Sequence, residues 1–305
     1  AKIEERAVLQ LLAARGFHEI VSFGFVDPAL QKQLLGPQAA ATLRNPIASD
    51  LAVMRLSLWP GLVQAALQNL RRQQERCKLV ELATVFRPDA NGAVIETPMV
   101  AGLAVGPRLP EQWGAVRAGL DFHDLKGDVQ ALLAISGQNG VLTWAPLDGP
   151  PPALHPGRCA AVLRDGARIG VIGELHPRLA NALELPAEVQ LFELDLAQVT
   201  EAAPTRFAPV SVFPQIRRDL SFSVDADESF SRIEAHVKVA ASRHLRELRL
   251  FDVYTGKGVE TGRKSVALGL ILQDVSRTLT DEEADRIVAD VVASLSSGLN
   301  AKLRE

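Results

Sequence analysis

Aromatic side chains, sulphur and excess charge are all scarce in this sequence. It holds one tyrosine and two cysteines in 305 residues. Cys77 and Cys159 lie far apart, with no C-x-x-C and no histidines clustered round them. That excludes a structural zinc module and leaves free thiols in a reducing compartment, so a cytoplasmic location is expected. No apolar run is long enough to cross a membrane, and no charged-then-apolar leader opens the chain. The net charge is −3, with no polybasic tail or stripe. Any nucleic-acid binding must therefore work by shape and stacking more than by phosphate charge. Internal repeats and low-complexity tracts are absent. Apolar residues are plentiful at 47%, which at this length can fill two cores. The first residues, AKIEERAVLQLLAARG, are already a helical pattern without an initiating methionine, as expected of a piece of a longer protein.

The richest segment is LFDVYTGKGVETGRKSVALGLILQDVSRTLT, residues 250–280. From Ser265 it alternates strictly: Val266, Leu268, Leu270 and Leu272 share one face, and Ser265, Ala267, Gly269 and Ile271 the other. A period of two with one apolar face describes a half-buried strand. Upstream, the same alternation assigns Phe251 and Val253 to the core and sets Asp252 and Tyr254 on the open side with Ser265. A tyrosine between an acid and a hydroxyl on an open sheet face can stack on, and hydrogen-bond, something flat. RRDLSFSV supplies another strand, with Leu220, Phe222 and Val224 inward, and Arg217 and Arg218 enter it at the edge of the open face, within reach of a phosphate. A helix follows, with Ser231 and Glu234 at capping-box spacing, and a second is opened by Thr280 and Glu283. Gly298 and Asn300 stop that helix before a short last strand. The order β-α-β-β-α-β is the ferredoxin-like motif, whose open face RNA-binding domains use.

The first two thirds read as a larger α+β domain. A helix over about 2–14 leads to the strand EIVSFGFV, a short helix at 28–35 and the Pro-broken stretch LRNPIASDLAVMR. A long helix comes next, tolerating Pro60 in its first turn, with Leu58, Leu62, Leu67 and Leu70 on its apolar stripe. Strands at 78–86 and 99–105, the helix LKGDVQALLAISG and a hairpin turning at Asp165-Gly166 follow. A helix at 178–182 and a strand at 190–195 close the domain. The Pro- and Ala-bearing stretch 201–214 reads as a linker, so two domains are expected, 1–205 and 206–305.

Several local patterns carry less. The glycines from Gly256 to Gly262, followed by Arg263-Lys264-Ser265, miss P-loop spacing and join two strands instead of opening a helix. The GVIGEL run is a strand of small residues. His155 and His176 each precede proline and read as turn histidines more than as a catalytic or metal pair. His123, Asp124 and Asp128 mark a helix start, where acids favour the dipole. Arg71, Arg72 and Arg76 fit a solvated helix end, a subunit contact or an RNA contact.

The motifs together resemble one family. From FPQIRRDLSFSV through LFDVYTGKGVETGRKSVALGLILQDVSRTLTDEE, the chain resembles the ferredoxin-fold anticodon-binding domain of the bacterial phenylalanyl-tRNA synthetase beta subunit. Upstream, EIVSFGFVDP, LRNPIASDLAVMRLSLWPGLVQAALQNLRRQQER, KLVELATVFRP, DFHDLKGDV, ALHPGR and GVIGELHP resemble the same subunit's catalytic-like domain, of class II synthetase-like antiparallel fold. The resemblance implies that Asp252, Tyr254 and Ser265 contact the anticodon of tRNA(Phe), and that the helix carrying Leu58, Leu62, Leu67 and Leu70 packs against other subunits. It implies a heterotetramer of two alpha and two beta chains, in which the alpha subunit uses ATP and Mg2+ to charge tRNA with phenylalanine. No cofactor or metal is expected on this chain, and no catalytic residue. Arg87 lies near the arginine position of an active class II site, but no acidic partner follows at the usual spacing. VQLFELDLAQV stands where a Gly-rich strand and second arginine would be. Adenylate formation needs preorganised positive groups around the phosphoryl charge, so the domain is expected to be pseudo-catalytic. Two alternatives stay open at this stage: a live class II ligase, and a ferredoxin-like interaction module for protein or a small ligand.

Overall fold

The computed structural model describes residues 2–137, 140–186, 188–202, 207 and 210–304. It divides into two compact units, Ala1–Thr205 and Arg206–Glu305.

The first unit opens with helix α1 (Glu5–Ala14), strands β1 (His18–Glu19) and β2 (Phe25–Val26), and helix α2 (Pro28–Leu35). Strand β3 (Val53–Met54) pairs with β2, and helix α3 (Trp59–Arg71) follows. Strands β4 (Cys77–Pro88) and β5 (Val94–Val105) form a long hairpin before helix α4 (Phe122–Ala134). Then come β6 (Leu142–Pro146), β7 (Leu154–Arg164), β8 (Ala167–Leu175), helix α5 (Pro177–Ala182), β9 (Gln190–Asp195) and helix α6 (Leu196–Thr200). The main sheet runs β1-β4-β5-β9-β8-β7-β6, antiparallel except for β1 beside β4. Helices cover both of its faces. Leu34, Leu62 and Val63 pack with Leu79 and Leu103 on one side, and Leu12, Leu125 and Leu132 with Val100 and Phe192 on the other. Covered twice, the second half of β5, Met99 to Val105, reads as an unbroken apolar run in place of an alternating one.

The stretch EIVSFGFV is not one strand. The Ser22 N–H and hydroxyl both donate to Glu81, at 3.0 and 2.9 Å, which takes the backbone off the ladder between β1 and β2. Arg55 joins the same buried carboxylate at 2.9 Å. At the start of α3 the Leu58 N–H and Ser57 hydroxyl donate to Glu193 of β9, each at 2.8 Å. A long-range carboxylate thus serves a helix N-terminus whose own cap position, Leu58, has no side-chain acceptor. The hairpin turns at Asp165-Gly166 with φ of 50° and 81°, the left-handed pair of a type I′ turn.

The second unit is β10 (Ile216–Asp225), helix α7 (Phe230–Ala241), a 3₁₀ turn at Ser242–His244, β11 (Leu245–Tyr254), β12 (Arg263–Leu272), helix α8 (Asp281–Leu299) and β13 (Lys302–Leu303). Its antiparallel sheet has the order β11-β12-β10-β13, the ferredoxin-like arrangement, with both helices on one face. Leu220, Phe222, Val266, Leu268 and Leu270 meet Ile233, Val237, Val291 and Leu295 there. Ser229 caps α7 in place of Ser231, while Thr280 and Glu283 form the expected capping box on α8. Gly298 does not stop α8. It lies inside the helix, where a Cβ would come within 2.1 Å of the His236 ring; Asn300, left-handed at φ 50°, ends the helix.

Candidate nucleic-acid interface

The uncovered face of the second unit is built from β11, β12 and β10. Directly paired residues of adjacent strands share a face, so the register assigns each side chain. Tyr254 opposes Ser265 and Asp252 opposes Ala267, whereas Val253 opposes Val266 and Leu250 opposes Leu268. Asp252, Tyr254 and Ser265 therefore lie together on the open face. Tyr254 is 44% exposed, and Ser265 sits lower, nearly covered, between Tyr254 and its other cross-strand partner Ser223.

Phe251 departs from the expected core side. A β-bulge between Leu250 and Asp252 inserts Phe251 as an extra residue, so that Phe251 and Asp252 face outward in succession. Its ring is 53% exposed, and the Arg217 guanidinium lies 5.6 Å from its centroid. Arg217 belongs to the same face, because it opposes Ile271, and it donates to Asp219 at 2.7 and 3.3 Å. The guanidinium crosses the sheet over Gly269, whose missing Cβ would stand only 3.3 Å from Nη2. A glycine inside a strand often marks such a close approach, and that was the one sequence signal for this shelf.

Arg218 corrects the sequence expectation. It opposes Leu270, so it lies on the helix side, where Asp281 and Asp285 of α8 accept from it at 2.6 and 2.8 Å. These two carboxylates also raise its pKa.

The connector from β11 to β12 carries Tyr254's ring. The Tyr254 hydroxyl donates to the Lys257 carbonyl at 3.4 Å, and a Cβ on Gly256 would meet the hydroxyl at 2.6 Å and Cζ at 2.8 Å. Elsewhere on the face Arg249 holds Glu247 at 2.6 Å and keeps that carboxyl below its ordinary pKa. On this surface Arg217 is matched with Asp219 and Arg249 with Glu247, beside the carboxylate of Asp252. The face offers flat groups and hydrogen bonds, with little net charge.

In the first unit, Arg87 is held by its own chain. Its Nε donates to the Leu56 carbonyl at 3.0 Å and Nη2 to Glu193 at 3.2 Å, beside a cleft of about 440 Å³. Burial pushes the Glu193 pKa up. His155 and His176 stack at 6.0 Å, each with Nδ1 accepting a backbone N–H of its own turn. Among the described residues no group of three His, Cys, Asp or Glu could hold a metal ion. Asp128 is no helix-dipole residue. It is buried and takes Lys78 at 2.6 Å and Arg15 at 2.7 Å. Arg71 pairs with Glu184 at the surface, and Arg76 donates to the Pro107 carbonyl.

The apolar stripe of α3 also differs from expectation. Leu58 and Leu62 are fully buried in their own unit's core and have no surface to give another subunit. Leu67 and Leu70 are half-buried at its rim. Val21 and Phe23 are exposed apolar residues that line a cleft with Gly61, Gln64 and Gln68 of α3, and Phe23 stacks on Phe25 at 5.1 Å. No helix of the described residues is long and apolar enough to cross a membrane.

The fold and the open aromatic face fit what comparison with known families returns. Residues 211–304 match the ferredoxin-fold anticodon binding domain, which sets the class of the second unit. Residues 1–196 match the phenylalanyl tRNA synthetase beta chain CLM domain, and the chain belongs to the phenylalanyl-tRNA synthetase beta chain family. The phenylalanine–tRNA ligase beta subunit of Pseudomonas fluorescens (strain Pf-5) is 43% identical over 299 residues, 98% of this chain and 37% of that protein. That of Xanthomonas campestris pv. campestris (strain 8004) is 44% identical over 304 residues, 99% of this chain and 38% of the relative. The chain thus spans well under half the length of these relatives. A solved pyrrolysyl tRNA synthetase of Desulfitobacterium hafniense is 15% identical with a TM-score of 0.49, covering 64% of each chain.

Proposed function

We propose that the second unit binds the anticodon of tRNA(Phe) on its open sheet face during ATP-dependent aminoacylation, while the first unit scaffolds a catalytic alpha subunit in a cytoplasmic alpha2beta2 ligase. The observation that carries this reading is the cross-strand grouping of Asp252, Tyr254 and Ser265 on an uncovered ferredoxin-like sheet. Tyr254 stacks on an unpaired base, and Asp252 and Ser265 accept and donate to base edges. ATP and Mg2+ act at the alpha subunit. This chain contributes no catalytic group: Arg87, which an active site would aim at phosphate, is occupied by Glu193. For the alpha subunit, the half-buried Leu67 and Leu70 and the exposed Val21 and Phe23 supply apolar surface, in place of Leu58 and Leu62.

The test is aminoacylation by the full-length beta chain reconstituted with its alpha partner. Stacking on one base is typically worth ~1–3 kcal/mol, so Tyr254→Ala is expected to raise the KM for tRNA about 5- to 150-fold with phenylalanine activation unchanged. An equal loss of activation would make Tyr254 structural. A second reading, an interaction module for protein or a small ligand, is favoured by the pairwise-neutralised charge of the open face. It predicts that tRNA fails to compete for whatever covers Tyr254.

A further inference from the structure

The open face carries a second flat element that the alternation of the sequence hides. Phe251 is turned outward by the bulge, 53% exposed, although it sits in a strand whose other large apolar residues point at the helices or belong to the edge. A half-exposed phenylalanine on a bulge is not needed by the core of this unit, to which it does not belong. Its ring is nonetheless fixed from two directions. The bulge fixes its backbone, and the Arg217 guanidinium, 5.6 Å away, fixes its orientation. The arginine in turn is locked by two hydrogen bonds to Asp219 and lies over Gly269 of the middle strand, where any Cβ would crowd it. Asp219, Arg217 and Phe251 therefore form a shelf across three strands, β10, β12 and β11. Two of its members, a guanidinium plane and an aromatic ring, are surfaces on which unpaired bases stack.

We propose that the Arg217–Phe251 shelf is a second base-stacking platform, which takes a different nucleotide of the same single-stranded RNA loop from the one held by Tyr254. This rests on the anticodon-binding reading above. The two rings are three residue steps apart on extended chain, about 10 Å along β11. That is farther than the ~3.4 Å between stacked bases of a nucleic-acid strand, so the two platforms hold nucleotides that are splayed apart. The Asp219–Arg217 pair makes the shelf nearly neutral, so its contribution is stacking and depends little on salt.

The test uses the reconstituted ligase and a fluorescent RNA hairpin carrying the tRNA(Phe) anticodon loop, followed by anisotropy. Each loop nucleotide is made abasic in turn and titrated against wild type, Tyr254→Ala, Phe251→Ala and Phe251→Leu. Leucine keeps the apolar bulk and loses the π-face, and Phe251→Trp restores it. Phe251→Ala and Phe251→Leu are expected to weaken the intact hairpin about 5- to 150-fold, with unchanged melting temperature and recovery in Phe251→Trp. One abasic position should abolish sensitivity to Phe251 and a different one sensitivity to Tyr254. If Phe251→Ala binds as wild type while Tyr254→Ala is weakened, the platform is overturned and the anticodon reading stands. The platform also falls if both variants are insensitive at the same single nucleotide. If wild type does not distinguish the anticodon hairpin from one of scrambled loop, both readings fall.

Discussion

At the scale of single residues, Tyr254 and Gly256 compete for one volume. The ring lies where a Cβ at position 256 would be, with the hydroxyl 2.6 Å from that point. Because the obstructing atoms belong to a half-exposed side chain at the connector, Gly256→Ala is expected to swing the ring away without disturbing the core. Its melting temperature should match wild type, while affinity for the anticodon hairpin falls toward that of Tyr254→Ala. A change in melting temperature with unchanged affinity would show that the ring's present position is irrelevant to binding. Period-two alternation sufficed to group Asp252, Tyr254 and Ser265, because each has a direct cross-strand relation that the pleat preserves. It misassigned Phe251, since one inserted residue reverses the phase and leaves no trace in composition. Arg218 was misassigned for a different reason. A charged residue at a strand's start was read as open-facing, whereas Asp281 and Asp285 draw it to the helix side.

Among the elements, α3 depends on a residue about a hundred and thirty positions away in sequence. Glu193 of β9 accepts from Leu58 N–H and Ser57 hydroxyl, and it also meets Arg87. Glu193→Ala leaves those buried donors without an acceptor, at about 1–3 kcal/mol for each unsatisfied group. Glu193→Gln keeps an amide oxygen for both donors and is expected to cost less than half as much in a urea melt. Equal losses would mean that the Arg87 charge pair, not the helix N-terminus, is what Glu193 stabilises. The long helices and long strands were legible as periodicity, as was the capping box of α8. The short pieces were not. Ser22's attachment to Glu81 breaks EIVSFGFV in two, and LTWAP and LAQVT are too brief for any period to register. Leu58 and Leu62 looked like a stripe awaiting a partner. A helix packed on a sheet of its own unit has the same sequence pattern as one packed on another subunit.

Across the whole molecule, the two units should respond differently to acid. In the second unit Asp274 and Glu283 are both held down at a pKa of about 2, Asp274 first by its Ser276 hydrogen bonds and Glu283 first by Arg277. A carboxyl whose folded pKa is depressed contributes stability above its unfolded value, and that contribution is lost as pH falls toward the folded value. The window is about pH 4.5 down to 2. In the first unit Glu193 shifts the other way: burial raises its pKa, so the folded form binds its proton more tightly and acidification favours folding there. Calorimetric scans at neutral pH and near pH 3 are expected to lower the second unit's transition more than the first's, and Glu283→Gln should reduce that difference. Parallel shifts would refute the assignment. The division into an α+β sheet unit and a ferredoxin-like unit was legible from element order, and the balanced charge from composition alone. The bulge that turns Phe251 outward has one more consequence, for the behaviour of many molecules together. Strand β11 is the outer strand of its sheet, and the ladder is interrupted at both Arg246 and Phe251, with Arg246, Glu247 and Arg249 exposed along it. An edge so kinked and charged is a poor template for strands of neighbouring molecules, so a surface that must leave aromatic rings uncovered still resists aggregation.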